Sequence, residues 1–306
     1  MNEAEVLDDV RPRAFAIAYR MLGSVSEAED VVQEVLLRVH SAMERGEEIS
    51  SPRAYAATIT TRLAIDELRS ARARRETYVG EWLPEPIAAP EEDPAAQAEQ
   101  ADSLSLAFLV VLESLTPEQR AAFLLHDVFD YGYEEVAEIV RTSEGNARQL
   151  ASRARRHVQE GRPRFDSSAE QREELASSFF AAVRDGEVER LEALLADDVE
   201  LHGDGGGVGP AIRRPVFGRA KAMQLLRNWE RLAPRLGVVE FRRVTVNGQP
   251  GAELLAADGR LISVLALDIV DGRIQAIRSM VNPEKLRHLG PVIGSEELMT
   301  RISQRP

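Results

Sequence analysis

At 306 residues the chain has room for two or three domains, each able to bury a core. A formal net charge of −13 excludes a protein that grips nucleic acid with its whole surface, so any DNA-binding surface has to be locally basic. The absence of cysteine excludes disulfides, thiolate catalysis and cysteine-ligated zinc; the five histidines lack metal-ligand spacing, so no metal and no cofactor is expected.

In chain order, residues 1–77 come first. The acidic start Met1-Asn2-Glu3-Ala4-Glu5 is unlike a signal peptide, and no apolar run reaches membrane-spanning length; a cytoplasmic protein without a membrane partner is expected. Apolar residues then recur at three and four: Ala28, Val31, Val32, Val35, Leu36, Val39, and later Ala56, Ile59, Leu63, Ile65, Leu68. That period predicts amphipathic helices, broken at Gly23-Ser24 and between Gly46 and Pro52. Ser26 and Glu29 have capping-box spacing. Asp30, Gln33, Glu34 and Arg38 share one helix face, which is either simply solvated or a docking face for another protein. Arg62, Arg69, Arg72, Arg74 and Arg75 form a basic patch behind Tyr55, Thr58 and Thr61. An aromatic and hydroxyls beside arginines suit single-stranded DNA, although Tyr55 alone also fits a core position.

Residues 78–103 hold four prolines and seven acidic residues with no lysine or arginine, the composition of a linker. Trp82-Leu83-Pro84-Glu85-Pro86 is out of place there. Either it packs on the nearest domain, or it is a docking segment that another domain holds.

Helical periodicity returns over 104–165. Tyr133–Val140 and Glu144–Val158, separated by Arg141-Thr142-Ser143, have helix-turn-helix spacing, with Ser143 placed to cap the second helix. From Arg141 to Arg164 there are seven arginines and two glutamates, which makes this the local basic surface. The candidate DNA contacts are Ser143, Asn146, Arg148, Gln149, Ser152, Arg153, Arg155 and Arg156.

Residues 170–290 begin with two helices and then alternate, as in Val199–His202, Val238–Val246, Leu261–Ile269 and Ile274–Val281, with hairpin signals at Asp258-Gly259 and Asp271-Gly272. This predicts an α+β domain built on an antiparallel sheet, with 291–306 as a tail. Gly205, Gly206 and Gly207 mark either a bend at positive φ or the close approach of another segment. His202 and Asp204 are the acid–base candidates if the domain is a small-molecule enzyme such as a cyclase or isomerase, but no second positioned partner accompanies them and no catalytic residue is assigned.

These blocks resemble a known family. Ala28-Glu29-Asp30-Val31-Val32-Gln33-Glu34-Val35 resembles the polymerase-binding helix of sigma-2 domains. Pro52-Arg53-Ala54-Tyr55 through Arg62 to Arg69 resembles the segment that opens and reads the −10 promoter element, and Leu115–Arg120 with Tyr133–Ala137 resembles a sigma-4 domain. The Trp82–Pro86 motif, Asp204–Gly207 and Asn282-Pro283-Glu284-Lys285-Leu286 together resemble extracytoplasmic-function (ECF) sigma factors of the SigJ type, which carry a fused SnoaL-like extension.

The resemblance implies all-α sigma-2 and sigma-4 domains followed by an α+β cone. It implies core RNA polymerase (clamp helices and flap) and promoter DNA as partners. Asp30, Gln33, Glu34 and Arg38 would meet the polymerase. Arg53, Tyr55, Thr58, Thr61, Arg62, Arg69 and Arg72 would meet the −10 element, and the second helix of the helix-turn-helix the −35 element. Leu150 stands where ordinary members of the wider class often carry a basic residue, which shifts DNA contact to Arg148 and Arg153. Asp204, Gly205, Gly206 and Gly207 with Asn282, Pro283 and Lys285 would hold Trp82, Leu83 and Pro84, and so regulate the sigma domains in cis. A further reading makes the cone a sensor for an unidentified small ligand.

Overall fold

The computed structural model describes residues 3–89, 103–161, 168–207 and 209–303, with 71–76 as backbone only. The chain divides into two units, Met1–Thr77 with Phe108–Arg162, and Tyr78–Ala107 with Pro163–Pro306. The linker is therefore grouped with the extension.

In the first unit, α1 (Glu3–Leu22) stops at Gly23, which takes φ 68°. Ser24 is extended, and its hydroxyl accepts the Glu27 N–H at 3.1 Å, so α2 (Val25–Glu44) starts there. The expected Ser26–Glu29 capping box does not form, because Ser26 already lies inside the helix. α3 (Pro52–Glu76) completes the first module. The valine stripe Val31, Val32, Val35 and Val39 is buried, as the period required.

The second module has α4 (Leu106–Leu112), α5 (Pro117–Phe123), a π-helical turn over Leu124–Val128, α6 (Tyr133–Val140) and α7 (Glu144–Gly161). Thr116 and Gln119 form a reciprocal capping box at the start of α5. Arg141 closes α6 in the left-handed region at φ 60°, and Ser143 accepts the Asn146 N–H at 3.3 Å. Ala147, Ala151, Ala154 and Val158 form the buried stripe of α7, and their small side chains let neighbouring helices approach.

Arginines join the two modules. Arg120, 2% exposed, donates to the Arg20 carbonyl at 3.2 Å and pairs with Glu113 at 2.7 Å. Arg13 donates to the Phe129 carbonyl at 3.0 Å and lies over the Tyr131 ring. Arg62 donates to the carbonyls of Glu138 and Ile139 at 3.0 and 3.1 Å, at the end of α6 where helix carbonyls lack partners. Arg69 pairs with Glu118 at 2.7 Å. Burial lowers the Arg20 pKa to about 10, still charged at neutral pH.

The second unit contains β1 (Ala88–Ala89), α8 (Ala169–Asp185), α9 (Val188–Leu194), β2 (Leu195–Asp204), β3 (Val216–Phe217), α10 (Arg219–Leu236), β4 (Val238–Val246), β5 (Gln249–Ala256), β6 (Leu261–Val270), β7 (Arg273–Met280) and α11 (Ser295–Ser303). The sheet order is β1-β4-β5-β6-β7-β2-β3. It is antiparallel except where β2 runs parallel to β7, a departure from the expected all-antiparallel sheet. Asn247-Gly248 and Asp271-Gly272 turn with both residues at positive φ, the geometry of tight hairpins. Register shifts in four strand pairs bend the sheet. One face of it packs Val199, Leu201, Leu267 and Ile277 against Phe179, Leu191 and Met223 of the helices. Among the described residues, no helix is long and apolar enough to cross a membrane.

Candidate functional sites

On α2, Asp30, Gln33 and Arg38 are exposed and Glu34 is half-buried, with Arg38 donating to Glu34 at 2.7 Å. Leu37, 61% exposed, lies among them and was not singled out from the sequence. Its position seven residues after Asp30 places it on the same face, the available signal.

Along α3 the expected DNA-facing residues separate. Arg53 is exposed and ion-paired with Asp9, and Tyr55 is half-buried. The Arg53 hydrogen bond holds the Asp9 carboxyl below the usual range against a smaller effect of desolvation. The Thr58 hydroxyl donates back to the Ala54 carbonyl at 2.9 Å. Thr61 is fully buried, so it is corrected from a DNA-facing residue to a core one. Arg62 and Arg69 are committed to the second module, as described above. The side chains of Arg72, Arg74 and Arg75 lie outside the described residues.

On α7, Asn146, Arg148, Gln149, Ser152, Arg153 and Arg156 form one exposed face opposite the alanine stripe, with Ser143 at its start. Arg148 pairs with Glu144 at 2.5 Å and lies 4.7 Å from the Tyr133 ring centre. Arg153 and Arg156 make no ion pair among the described residues. Arg155 differs: it pairs with Asp127 at 2.6 Å, and these hydrogen bonds, to Asp127 first and then Tyr133, raise its pKa. Its role is to fasten α7 to the π turn, which corrects its assignment as a free DNA contact.

The third site lies within the second unit. Asp204 ends β2 fully buried and accepts hydrogen bonds from the Tyr78 hydroxyl, the Leu83 N–H at 2.9 Å, the Gly206 N–H at 3.1 Å and the Lys285 ammonium at 2.7 Å. Lys285 also donates to the Leu83 carbonyl and lies 4.1 Å from the centre of the Trp82 ring. Asn282 donates to the Tyr78 hydroxyl at 3.0 Å and, with its side-chain oxygen, caps the Pro283–Lys285 turn. Leu83 is fully buried and Pro84 is buried. Burial first and Asp204 second raise the Tyr78 pKa, which keeps its hydroxyl a donor.

Both explanations for the glycines hold. Gly206 and Gly207 take φ 62° and 77°, and a Cβ there would lie 2.7 Å from Asn282 Nδ2 and 2.6 Å from Val79 Cβ. Gly205 is needed only for close approach, since a Cβ would lie 2.9 Å from that of Ala211.

Further anchors escaped sequence reasoning. Glu81 lies 2.6 Å from His202 Nδ1, while His202 Nε2 lies 2.9 Å from Glu200. Asn247 exchanges main-chain and side-chain hydrogen bonds with Ile87 and donates to the Leu104 carbonyl at 2.9 Å. His288 Nε2 lies 2.8 Å from the Pro86 carbonyl. The Asn247-Gly248 pair was a readable hairpin signal, but nothing local tied it to the linker.

Between the sheet and α10 lies a cavity of about 190 Å³. Its lining contains no Asp, Glu, Lys or Arg. Asp204 is absent from it, and both imidazole nitrogens of His202 are occupied by carboxylates.

Two family models match the chain, Sigma-70 region 2 over residues 6–74 and Sigma-70 region 4 over residues 105–158. The ECF RNA polymerase sigma factor SigJ of Mycobacterium tuberculosis is 38% identical over 296 residues, covering 92% of this chain and 93% of that protein. The probable ECF sigma factor SigI of the same species is 31% identical, covering 91% and 92%. The crystal structure of the M. tuberculosis SigJ protein superposes with a TM-score of 0.75 at 36% identity, covering 93% of this chain and 98% of that one. With two sigma regions in order and a relative 38% identical over 92% of the chain, the chain belongs to the ECF RNA polymerase sigma factors, carrying an α+β extension after its sigma-2 and sigma-4 regions.

Proposed function

We propose that this sigma factor directs core RNA polymerase to a promoter in the cytoplasm, and that the extension regulates it by holding the linker. The exposed face of Asp30, Gln33, Glu34, Leu37 and Arg38 docks on the polymerase. The start of α3, with Arg53 and Tyr55, meets the −10 element. The exposed face of α7, led by Arg148, Arg153 and Arg156, meets the −35 element through major-groove base edges and phosphates.

The regulatory reading is carried by one observation: the Asp204–Lys285 pair closes around Leu83 in a buried site. The linker between the sigma regions is held at Leu83 and Ile87 near its start and at Leu104 near its end. Promoter elements at −10 and −35 lie roughly 85 Å apart on B-form DNA, at about 3.4 Å per base pair. A compact unit of the size formed by both sigma modules is roughly 40 Å across. The modules therefore separate on the promoter, releasing Arg13, Arg62, Arg69 and Arg120 from their partners, and the linker has to extend. Differential contact of a few kcal/mol at the clamp is enough to bias that equilibrium.

The extension acts as a regulator and not as an enzyme. Its two acid–base candidates are used elsewhere, Asp204 on the linker and His202 between Glu81 and Glu200. The test is reconstituted transcription with core polymerase. Glu34→Arg is expected to weaken polymerase binding at least about tenfold. Asp204→Asn and Lys285→Met are expected to change transcript yield from a promoter while leaving polymerase affinity intact; unchanged yield in both rejects the regulatory role. Point variants are preferable to a cut beyond Leu286, which would remove Ile293 and Leu298 from a buried cluster as well as His288 from Pro86.

A further inference from the structure

The cavity and the clamp share a loop. Pro210, Ala211 and Ile212 form part of the cavity wall, while Gly206 and Gly207, a few residues earlier, press on Asn282 and Val79 at the clamp. The loop has little slack at either end. A Cβ at Gly203 would lie 2.5 Å from Ile212 Cγ1, and one at Gly206 2.7 Å from Asn282 Nδ2. Val208, within this loop, lies outside the described residues. β2 adds a second connection, since Leu201 and His202 line the cavity while Asp204, two residues on, accepts the linker's Leu83 N–H.

The lining specifies the occupant's chemistry. Phe179, Leu201, Leu226, Trp229, Leu265 and Ile277 offer aromatic and aliphatic contact. The polar lining residues are His202, Asn228 and Ser279, and His202 is already held by Glu81 and Glu200, so a charged ligand would lose its hydration without gaining a counter-ion of its own. Ser279 supplies a hydroxyl, 3.3 Å from that of Ser263, as a point of polar contact. An apolar cavity of about 150 Å³ accommodates benzene. At about 190 Å³ this one has space for a somewhat larger ring system.

We propose that the cavity binds a small uncharged aromatic molecule, of one or two rings with a single hydrogen-bonding group, and that the contact of Gly209–Ile212 with Gly203–Gly207, which includes the Gly209 N–H donating to the Gly205 carbonyl at 2.8 Å, transmits its occupancy to the linker clamp. The second part rests on the clamp described above as the regulatory contact. A ligand that displaces Ile212 displaces a loop whose other end is fitted against Asn282 and Val79. Binding and linker release thereby become linked equilibria, each altering the other by the same factor.

The experiment uses the full chain and indole as the probe, with benzoate as a charged comparison of similar size. Calorimetric titration measures binding. Hydrogen exchange over residues 78–89 measures the clamp, including the Leu83 amide held by Asp204. Indole is expected to bind saturably, and benzoate at least about tenfold more weakly. Leu265→Phe and Val183→Phe, which fill the cavity from different walls, are expected to weaken indole at least about tenfold, with circular dichroism confirming that each is folded. Bound indole is expected to change exchange at Leu83 by at least about threefold. Absence of saturable binding, or undiminished binding in both folded filling variants, overturns the site. Binding without altered exchange overturns the transmission. Neither readout uses transcription, so failure of the clamp as a transcriptional regulator is a separate result.

Discussion

Asp204 and Lys285 show how one pair of side chains can fix a much longer segment. Both are nearly or fully buried, so each depends on the other and on the surrounding hydrogen bonds to replace lost hydration. Lys285→Met leaves the Asp204 charge in place without its counter-ion, and is expected to destabilise the extension by about 3 kcal/mol, read by thermal or urea unfolding. The double variant with Asp204→Asn is expected to recover part of that loss, because the unpaired charge is also removed. A second pair has a defined pH sign. Burial raises the Glu118 pKa, but the hydrogen bond from Arg69, hydrogen bonds to its own backbone and to Thr116, and the Arg69 charge together outweigh it, and the net shift is downward. Its stabilising contribution is therefore present above the ordinary carboxylate pKa and is lost as pH falls through the lowered folded value. Wild type is expected to lose stability on acidification relative to Glu118→Gln, as compared by unfolding at pH 7 and at about pH 3.

At the scale of elements, α7 separates binding from scaffolding on a single helix. The alanine stripe faces inward, and the arginines divide by angle: Arg153 and Arg156 outward, Arg155 toward Asp127. Arg153→Ala is expected to weaken holoenzyme binding to a promoter by about 1–3 kcal/mol without changing the melting temperature. Arg155→Ala is expected to lower the melting temperature instead, since it removes the Asp127 contact; equal melting temperatures for the two variants would contradict this division. The helix-turn-helix boundaries were readable because periodicity, a three-residue break and a serine cap coincide over Tyr133–Ser143. By contrast, α10 and β5 were missed. α10 carries Leu225, Leu226, Trp229 and Leu232 at helical spacing, which would have revealed it. β5 is buried on both faces, so it lacks the alternation that marks a strand with one solvated face.

Over the whole molecule, charge and linkage set the binding behaviour. With a net charge of −13, the chain by itself is expected to bind promoter DNA weakly and with steep salt dependence. Mounted on core polymerase, it gains effective concentration and is expected to bind tightly and specifically, a contrast measurable by titrating labelled promoter with and without polymerase. Tight sequence-specific binding by the chain alone at physiological salt would contradict it. The closed arrangement of the sigma modules points the same way, since Arg62 and Arg69 satisfy helix carbonyls and Glu118 where promoter contact would require them elsewhere.

Local pattern alone determined the helical sigma modules, the acidic linker, the hairpin-rich extension and the exposed charged face of α2, because periodicity, caps and turn residues act over a few positions. The three motifs at Trp82, Asp204 and Asn282 were also visible as sequence. Only tertiary structure decided that Lys285 and Asp204 close on Leu83, that Thr61 is core, and that Arg62 and Arg155 hold helices together. Those outcomes depend on side chains from distant segments competing for the same buried hydrogen bonds, a competition that spacing along the chain does not encode.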